Sequence, residues 1–249
     1  MVVDFHVHPF RDAAHCLNFY PERQDFTNLR RELEEAGIGC ICGSVLQWEK
    51  PQSFSDLQAL NQEALALREI LGDFYTPGFH IHPAYPRESC EEVEFMRSRG
   101  VTLMGELVPY LHGWGDFDKG NLCEILEAAR GMVCSYHTPW DFDMDGILSA
   151  FPHITFVAAH PGDRDRVEEH IALMKKHENL YLDLSGTGLF RLGLLKHLVT
   201  QVGAERILFG TDYPICNPRM YVQAVYGEDI SDRDREKIFS ENAHRILGK

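Results

Sequence analysis

The sequence predicts a single (β/α)8 TIM barrel, the α/β fold in which eight parallel strands alternate with helices around one core. Two observations lead to this prediction: eight short apolar runs recur along the 249 residues with helical patterns between them, and no Pro/Gly/Ser-rich linker divides the chain. The runs are Val2–Val7, Ile38–Leu46, Phe74–Ile81, Val101–Leu107, Met132–His137, Ile154–His160, Leu180–Leu184 and Ile207–Thr211. A doubly wound sheet usually has fewer strands, so we expect residues 1–249 to form one barrel domain.

The segments between the runs carry polar residues of the kind that begin helices. Ser55 is placed to cap a segment whose apolar residues recur with a helical period. Ser89 with Glu92, and Ser231 with Asp234, have the spacing of a capping box ahead of two further helices. These residues have structural roles and require no functional explanation.

Composition and charge exclude several classes of function. The chain has 24 Lys and Arg residues against 38 Asp and Glu, a net charge of −14, which argues against a broad surface for nucleic acid or for anionic membranes. The seven cysteines include no CxxC pair, so they do not describe a disulfide framework. The N-terminus lacks the pattern of a signal peptide, and no apolar run approaches the roughly 18 residues of a membrane span. We therefore expect a cytoplasmic protein, either monomeric or homo-oligomeric, that acts on a small molecule.

Polar side chains stand where the predicted strands end, which is where a barrel of this kind carries its active site. His6 and His8 lie on one side of the first strand because side chains alternate along a strand, and Asp4 lies deeper on that side. Further side chains able to bind a metal end four other runs: Glu106, His137, His160 and Asp212. Each of them alone is explained by packing or by a turn. Together in one barrel mouth they would be costly to bury unless a divalent metal bound them.

These motifs resemble those of the amidohydrolase superfamily, in particular the amidohydrolase-2 branch that includes aminocarboxymuconate-semialdehyde decarboxylase. The resemblance covers essentially the whole chain. It rests on DFHVH at residues 4–8, His137, AHPG at 159–162, GTDYP at 210–214 and NAHRIL at 242–247. An HxH pair alone is a weak signal, whereas the same pair followed by His, His and Asp in strand order is a strong one.

The resemblance implies a divalent metal, most often zinc, held by four residues, with His160 beside the metal-bound water and assisting it. The four are His6, His8, His137 and Asp212. Glu106 stands where TatD-type members have a Glu that bridges two metals. In that alternative His6, His8 and Asp212 bind one ion, and His137 and His160 bind the other. Both a one-metal and a two-metal site remain open at this stage.

An open metal site activates water and polarises carbonyl or phosphoryl oxygens, while a carboxylate beside the metal carries protons. We assign the proton transfer to Asp212, as the resemblance also implies, and the orientation of water or substrate to His160 if it is not a ligand. The predicted function is a metal-dependent hydrolase that cleaves a C–O or C–N bond of a small polar substrate. The alternatives are a metal-dependent non-oxidative decarboxylase, a TatD-like phosphodiester hydrolase and a barrel that retains metal without catalysis.

The loops after the strands supply candidate substrate contacts. His80 and His82 form a second HxH pair after the third run, for which we favour contact with substrate over metal binding. Tyr110, His112 and Trp140 belong to aromatic-rich segments that would line or cover a pocket. The alternative is that these aromatic residues pack helices against the barrel.

Overall fold

The computed structural model describes residues 1–20, 25–115, 117–140 and 142–248, and within them eight strands form one sheet. Each strand pairs in parallel with the next one along the chain. The strands are β1 (Val2–Asp4), β2 (Ile38–Gly43), β3 (Tyr75–Phe79), β4 (Leu103–Leu107), β5 (Val133–His137), β6 (Thr155–Ala159), β7 (Leu180–Asp183) and β8 (Ile207–Leu208). The N–H of Phe5 donates to the carbonyl of Phe209 over 2.8 Å, so the segments following β1 and β8 close the ring. The predicted barrel is confirmed.

Helices connect the strands and cover the outside of the sheet. They are α1 (Phe26–Glu35), α2 (Phe54–Leu71), α3 (Pro86–Ser98), α4 (Pro109–His112), α5 (Lys119–Ala128), α6 (Met144–Ala150), α7 (Arg164–Lys176), α8 (Leu194–Val202), α9 (Pro218–Gly227), α10 (Asp232–Glu236) and α11 (Asn242–Leu247). A π-helical turn, Lys237–Glu241, joins α10 to α11. No helix in the described part of the chain is both long and apolar enough to cross a membrane.

The helix starts differ from the sequence prediction in two places. Ser53, not Ser55, caps α2, and it forms a capping box with Asp56. Ser89 lies inside α3, which begins at Pro86, and its hydroxyl donates to the carbonyl of His82 over 3.0 Å. The predicted cap at Ser231 is correct, since its oxygen accepts the N–H of Asp234 over 3.0 Å.

Apolar side chains fill the lower barrel and leave the mouth to polar residues. One buried residue from each of six strands contributes to an inner cluster, together with Phe5 and Ala243. These residues are Val3, Cys42, Leu103, Val133, Val157 and Leu208. Side chains on the outer face of the sheet, such as Met104, Tyr136 and Phe156, belong to the larger core shared with the helices. Because the strands are buried on both faces, the barrel carries its polar site above this inner cluster, at the strand ends.

Candidate metal centre

Two histidines after β1 point their ring nitrogens at each other inside the mouth. Nδ1 of His8 lies 3.1 Å from the carbonyl of Ser44, and Nδ1 of His6 lies 2.9 Å from Oδ2 of Asp183. Both partners accept hydrogen bonds, so both Nδ1 atoms carry a proton, and in the neutral rings both Nε2 atoms present lone pairs. The two Nε2 atoms are only 3.1 Å apart. Two lone pairs at this distance repel each other unless a cation lies between or beside them.

Two carboxylates face the same point. Oε2 of Glu106 lies 3.3 Å from Nε2 of His6 and 3.4 Å from Nε2 of His8. Oδ1 of Asp212 lies 3.7 Å and 3.4 Å from the same two nitrogens. Burial opposes charging of His8, but its hydrogen bonds with Asp212 and Glu106 outweigh this and raise its pKa to about 8. The group therefore attracts positive charge, and its nitrogen and oxygen donors fit a divalent metal ion.

The other oxygen of Glu106 faces a second pair of histidines. Oε1 lies 2.9 Å from Nδ1 of His137 and 3.3 Å from Nε2 of His160, and these two nitrogens are 3.2 Å apart. Burial alone would raise the pKa of Glu106, but the positive charges of His6 and His137 and hydrogen bonds from His137 and His160 hold it well below the usual range. Glu106 is thus a buried carboxylate with a different set of histidines on each oxygen.

A backbone irregularity in β4 turns Glu106 into the mouth. Leu103 faces the barrel interior and Met104 the helices, so strict alternation would point Glu106 outward. The pairing of β4 with β5 shifts between Met104 and Leu107, and Gly105 has a φ of 97°, which reverses the alternation at Glu106. A side chain at position 105 would have its Cβ 2.1 Å from the carbonyl oxygen of Ser135, so only glycine fits there.

The backbones of His160 and Asp212 lie in the left-handed region, each with a φ of 67°. This conformation is unfavourable for residues other than glycine and occurs often at functional sites. Ala159, the last residue of β6, pairs with His137. The left-handed backbone of the next residue, His160, turns its imidazole toward His137. The hydroxyl of Thr138 donates to the carbonyl of His160 over 3.1 Å and helps to hold this backbone.

Several supporting residues were not identified from the sequence. Asp4 was placed beside the histidines but given no role. It is fully buried, and its carboxylate accepts the hydroxyl of Thr211 over 2.6 Å and the N–H of the same residue over 3.0 Å. Burial raises the pKa of Asp4 to about 7 against the effect of these hydrogen bonds. Asp183 and Ser185 lie behind His6 and His160, and the only sequence signal for them was the polar ending of the seventh run.

The predicted substrate residues differ in their burial. His80, His82, His112 and Trp140 are buried, whereas Tyr110 is exposed, with its ring 5.2 Å from that of His137. Neither ring nitrogen of His112 has a hydrogen-bond partner among the described residues. The open space at the mouth is a cavity of about 440 Å³ beside β5 to β8. Its lining includes His137, Thr138, His160, Arg166, Thr187 and Asp212. A role for the five predicted residues in substrate binding stays a prediction.

We expect Gly186→Ala to weaken metal binding, because a Cβ at this position would lie 2.4 Å from Nδ1 of His160. Gly100→Ala is the matched control: both glycines have a positive φ, but a Cβ at Gly100 meets nothing within 4 Å. Each variant should lose about 1 kcal/mol of stability from its backbone. Only Gly186→Ala should also lose metal affinity, by about tenfold or more, measured by chelator competition. Equal metal affinity in the two variants would contradict this role for the contact.

We expect acid to destabilise the metal-free protein through buried neutral histidines. Burial lowers the pKa of both His80 and His170 to about 4. Between pH 6.5 and 4 the unfolded chain therefore takes up protons that the native form does not, and the free energy of unfolding falls as the pH falls. The loss at pH 5 is on the order of 2 kcal/mol for each residue.

Urea unfolding of metal-free protein at pH 7.5 and pH 5 measures this loss. His170→Gln should show a smaller difference between the two pH values than the unchanged protein. His197→Gln, at a partly exposed histidine of α8, is the control and should leave the difference unchanged. The explanation fails if His170→Gln retains the full pH dependence.

Comparisons with known proteins agree with this fold and these motifs. A model of the amidohydrolase family (Amidohydro_2) matches residues 3–249. A γ-resorcylate decarboxylase from Polaromonas sp. (strain JS666) is 39% identical over 137 residues, which are 55% of this chain and 38% of that relative. The chain thus matches well under half the length of this curated relative.

Solved structures show the same barrel. A TIM-barrel protein from Bordetella bronchiseptica superposes with a TM-score of 0.78 at 21% identity, over 99% of this chain and 98% of that one. A dihydroxybenzoic acid decarboxylase from Polaromonas sp. JS666, with bound manganese and the inhibitor 2-nitroresorcinol, superposes with a TM-score of 0.63 at 16% identity, over 99% and 96%. Since the family model spans nearly the whole sequence, the chain belongs to the amidohydrolase family.

Proposed function

We propose that this protein is a metal-dependent, non-oxidative decarboxylase of a small hydroxylated aromatic carboxylate. The observation that carries the proposal is the 39% identity to a γ-resorcylate decarboxylase over 137 residues. The hydrolase expected from the sequence has less support, because that relative is named as a decarboxylase. The ligand cluster suits either reaction, since the same donors can hold a metal for a water molecule or for a substrate carboxylate.

A divalent metal, when bound, would supply a positive charge that holds and polarises the oxygens of the substrate. His6, His8, Glu106 and Asp212 would hold it, and His137 and His160 lie close enough to contribute. The sequence favours zinc, whereas the dihydroxybenzoic acid decarboxylase from Polaromonas contains manganese. Both metals accept nitrogen and oxygen ligands, so we propose a divalent metal and leave its choice to metal analysis.

The net reaction replaces a carboxylate on the ring with a proton. The bond between the ring carbon and the carboxylate breaks, carbon dioxide leaves, and the electron pair stays on the carbon until a proton arrives there. Asp212 is our candidate for the proton donor, because it lines the mouth cavity and also faces His8 over 3.4 Å. Arg166 also lines this cavity, and its guanidinium would favour an anionic substrate.

We expect metal-loaded protein to release carbon dioxide from γ-resorcylate or a related hydroxybenzoate, with the decarboxylated phenol as the second product. Asp212→Asn should fold normally, because Asn tolerates a positive φ, and should lose about 10²–10⁴-fold in kcat. Asp163→Asn is the control, since Asp163 lines the same cavity but caps α7, where Asn serves equally well.

Carbon dioxide capture and chromatography of the products measure both outcomes. Near-normal kcat in Asp212→Asn would remove the proton-donor assignment. Turnover of esters or amides without carbon dioxide release from any hydroxybenzoate would return the function to hydrolysis.

We also propose that Glu106 bridges two ions. Oε2 faces His6 and His8, whereas Oε1 faces His137 and His160, so each oxygen has its own histidine pair. One ion would take His6, His8 and Asp212, and the other would take His137 and His160. In this arrangement each oxygen of the buried Glu106 carboxylate would have a positively charged partner.

Metal analysis after gentle dialysis should then find two equivalents in the purified protein and at most one in Glu106→Gln. Glu32→Gln is the matched control. Glu32 accepts a hydrogen bond from the hydroxyl of Tyr213, the residue after Asp212, but it is not one of the candidate ligands. One equivalent in the unchanged protein, still present in Glu106→Gln, would contradict the bridge.

A further inference from the structure

A buried serine and a buried aspartate connect the two histidine groups from behind. Oγ of Ser185 lies 3.0 Å from Nδ1 of His160, and both its hydroxyl and its N–H contact Oδ1 of Asp183, the N–H over 2.9 Å. Oδ2 of Asp183 lies 2.9 Å from Nδ1 of His6. Asp183 and Ser185 are both 0% exposed, so water does not compete for these contacts.

The positions of the protons follow from counting donors and acceptors. A serine hydroxyl has one hydrogen, and the carboxylate of Asp183 can only accept, so Ser185 donates to Asp183. Its oxygen must then accept the Nδ1–H of His160. If Asp183 instead donated to the hydroxyl of Ser185, the carboxyl of Asp183 would need a proton. That carboxyl already faces two further donors, the N–H of Ser185 and Nδ1 of His6. Both histidines consequently carry Nδ1–H and direct an Nε2 lone pair into the mouth.

Packing keeps the two rings in this orientation. A Cβ at Gly210 would lie 2.8 Å from Cβ of His6 and 3.2 Å from Cβ of Ser185. A Cβ at Gly186 would lie 2.4 Å from Nδ1 of His160. These glycines let the backbone lie close to the Cβ of His6 and to the ring of His160, which limits movement of both side chains.

We propose that Asp183 and Ser185 are positioning residues that set the tautomers of His6 and His160, and that they couple the two histidine groups through one carboxylate. The inference deepens the proposed function, on which its consequence for metal binding rests. Neither residue touches the mouth cavity, so they act through the histidines. Partners of this kind behind metal-binding histidines typically change metal affinity by about 10- to 100-fold when removed.

The test is a long-range ¹H–¹⁵N correlation spectrum of metal-free protein with labelled histidine, recorded at an alkaline pH at which the spectrum itself shows the rings of His6 and His160 to be neutral. His160→Asn identifies the His160 signals by their loss. The unchanged protein should show His6 and His160 as Nδ1–H tautomers. In Ser185→Ala, His160 should shift toward the Nε2–H form, which can donate to Glu106, while His6 keeps its tautomer.

Ser240→Ala is the matched control, because it removes a serine oxygen 3.3 Å from Nδ1 of His244 far from the mouth. Chelator competition with Zn²⁺ should show about 10- to 100-fold weaker binding in Ser185→Ala. The control should bind Zn²⁺ as tightly as the unchanged protein. An Nδ1–H signal of His160 that survives Ser185→Ala, or an Nε2–H form in the unchanged protein, would overturn the inference. The spectrum uses neither metal nor substrate, so a protein without decarboxylase activity would still decide it.

Discussion

The site depends on one constraint: nitrogen lone pairs and carboxylate oxygens are held facing each other where water is largely excluded. His6, His8, Glu106 and Asp212 are all at most 7% exposed. A buried polar group without a partner costs on the order of 1–3 kcal/mol, and charged groups cost more. The barrel can maintain this arrangement because polar contacts also close it: Asp4 accepts three hydrogen bonds, and the two from Thr211 join β1 to the loop after β8. A cation in the mouth would relieve the remaining repulsion.

The sequence was sufficient for the barrel and for the ligand types because both follow from local patterns. Each strand is an apolar run, and five of the eight runs have a candidate ligand at or next to their end, so position along the run already indicates position in the mouth. The runs were predicted longer than the strands are; for example β8 ends at Leu208, although apolar or small residues continue to Thr211. The backbone leaves the ladder there to bring Asp212 across to His6, whose carbonyl accepts its N–H over 2.8 Å.

What the sequence did not predict depends on backbone conformation and on distant partners. Alternation would have turned Glu106 outward, and only the irregularity at Gly105 reverses it. Asp183 is 177 residues from His6, so no spacing rule could connect them. Ser53 and Ser55 both precede the apolar periodic segment of α2, and which of them caps the helix depends on whether Asp56 can reach back to the cap.

The choice between hydrolase and decarboxylase also lies beyond the ligand pattern, because the donors are the same and the reaction depends on what enters the mouth. The two sides of the cluster differ in this respect. His6 and His8 are 3% and 2% exposed and are fixed from behind by Asp183 and Ser44. His137, His160 and Asp212, by contrast, line the cavity. A substrate would therefore approach from the side of β5 to β8, and Asp212 is the carboxylate that faces both this space and the buried histidines.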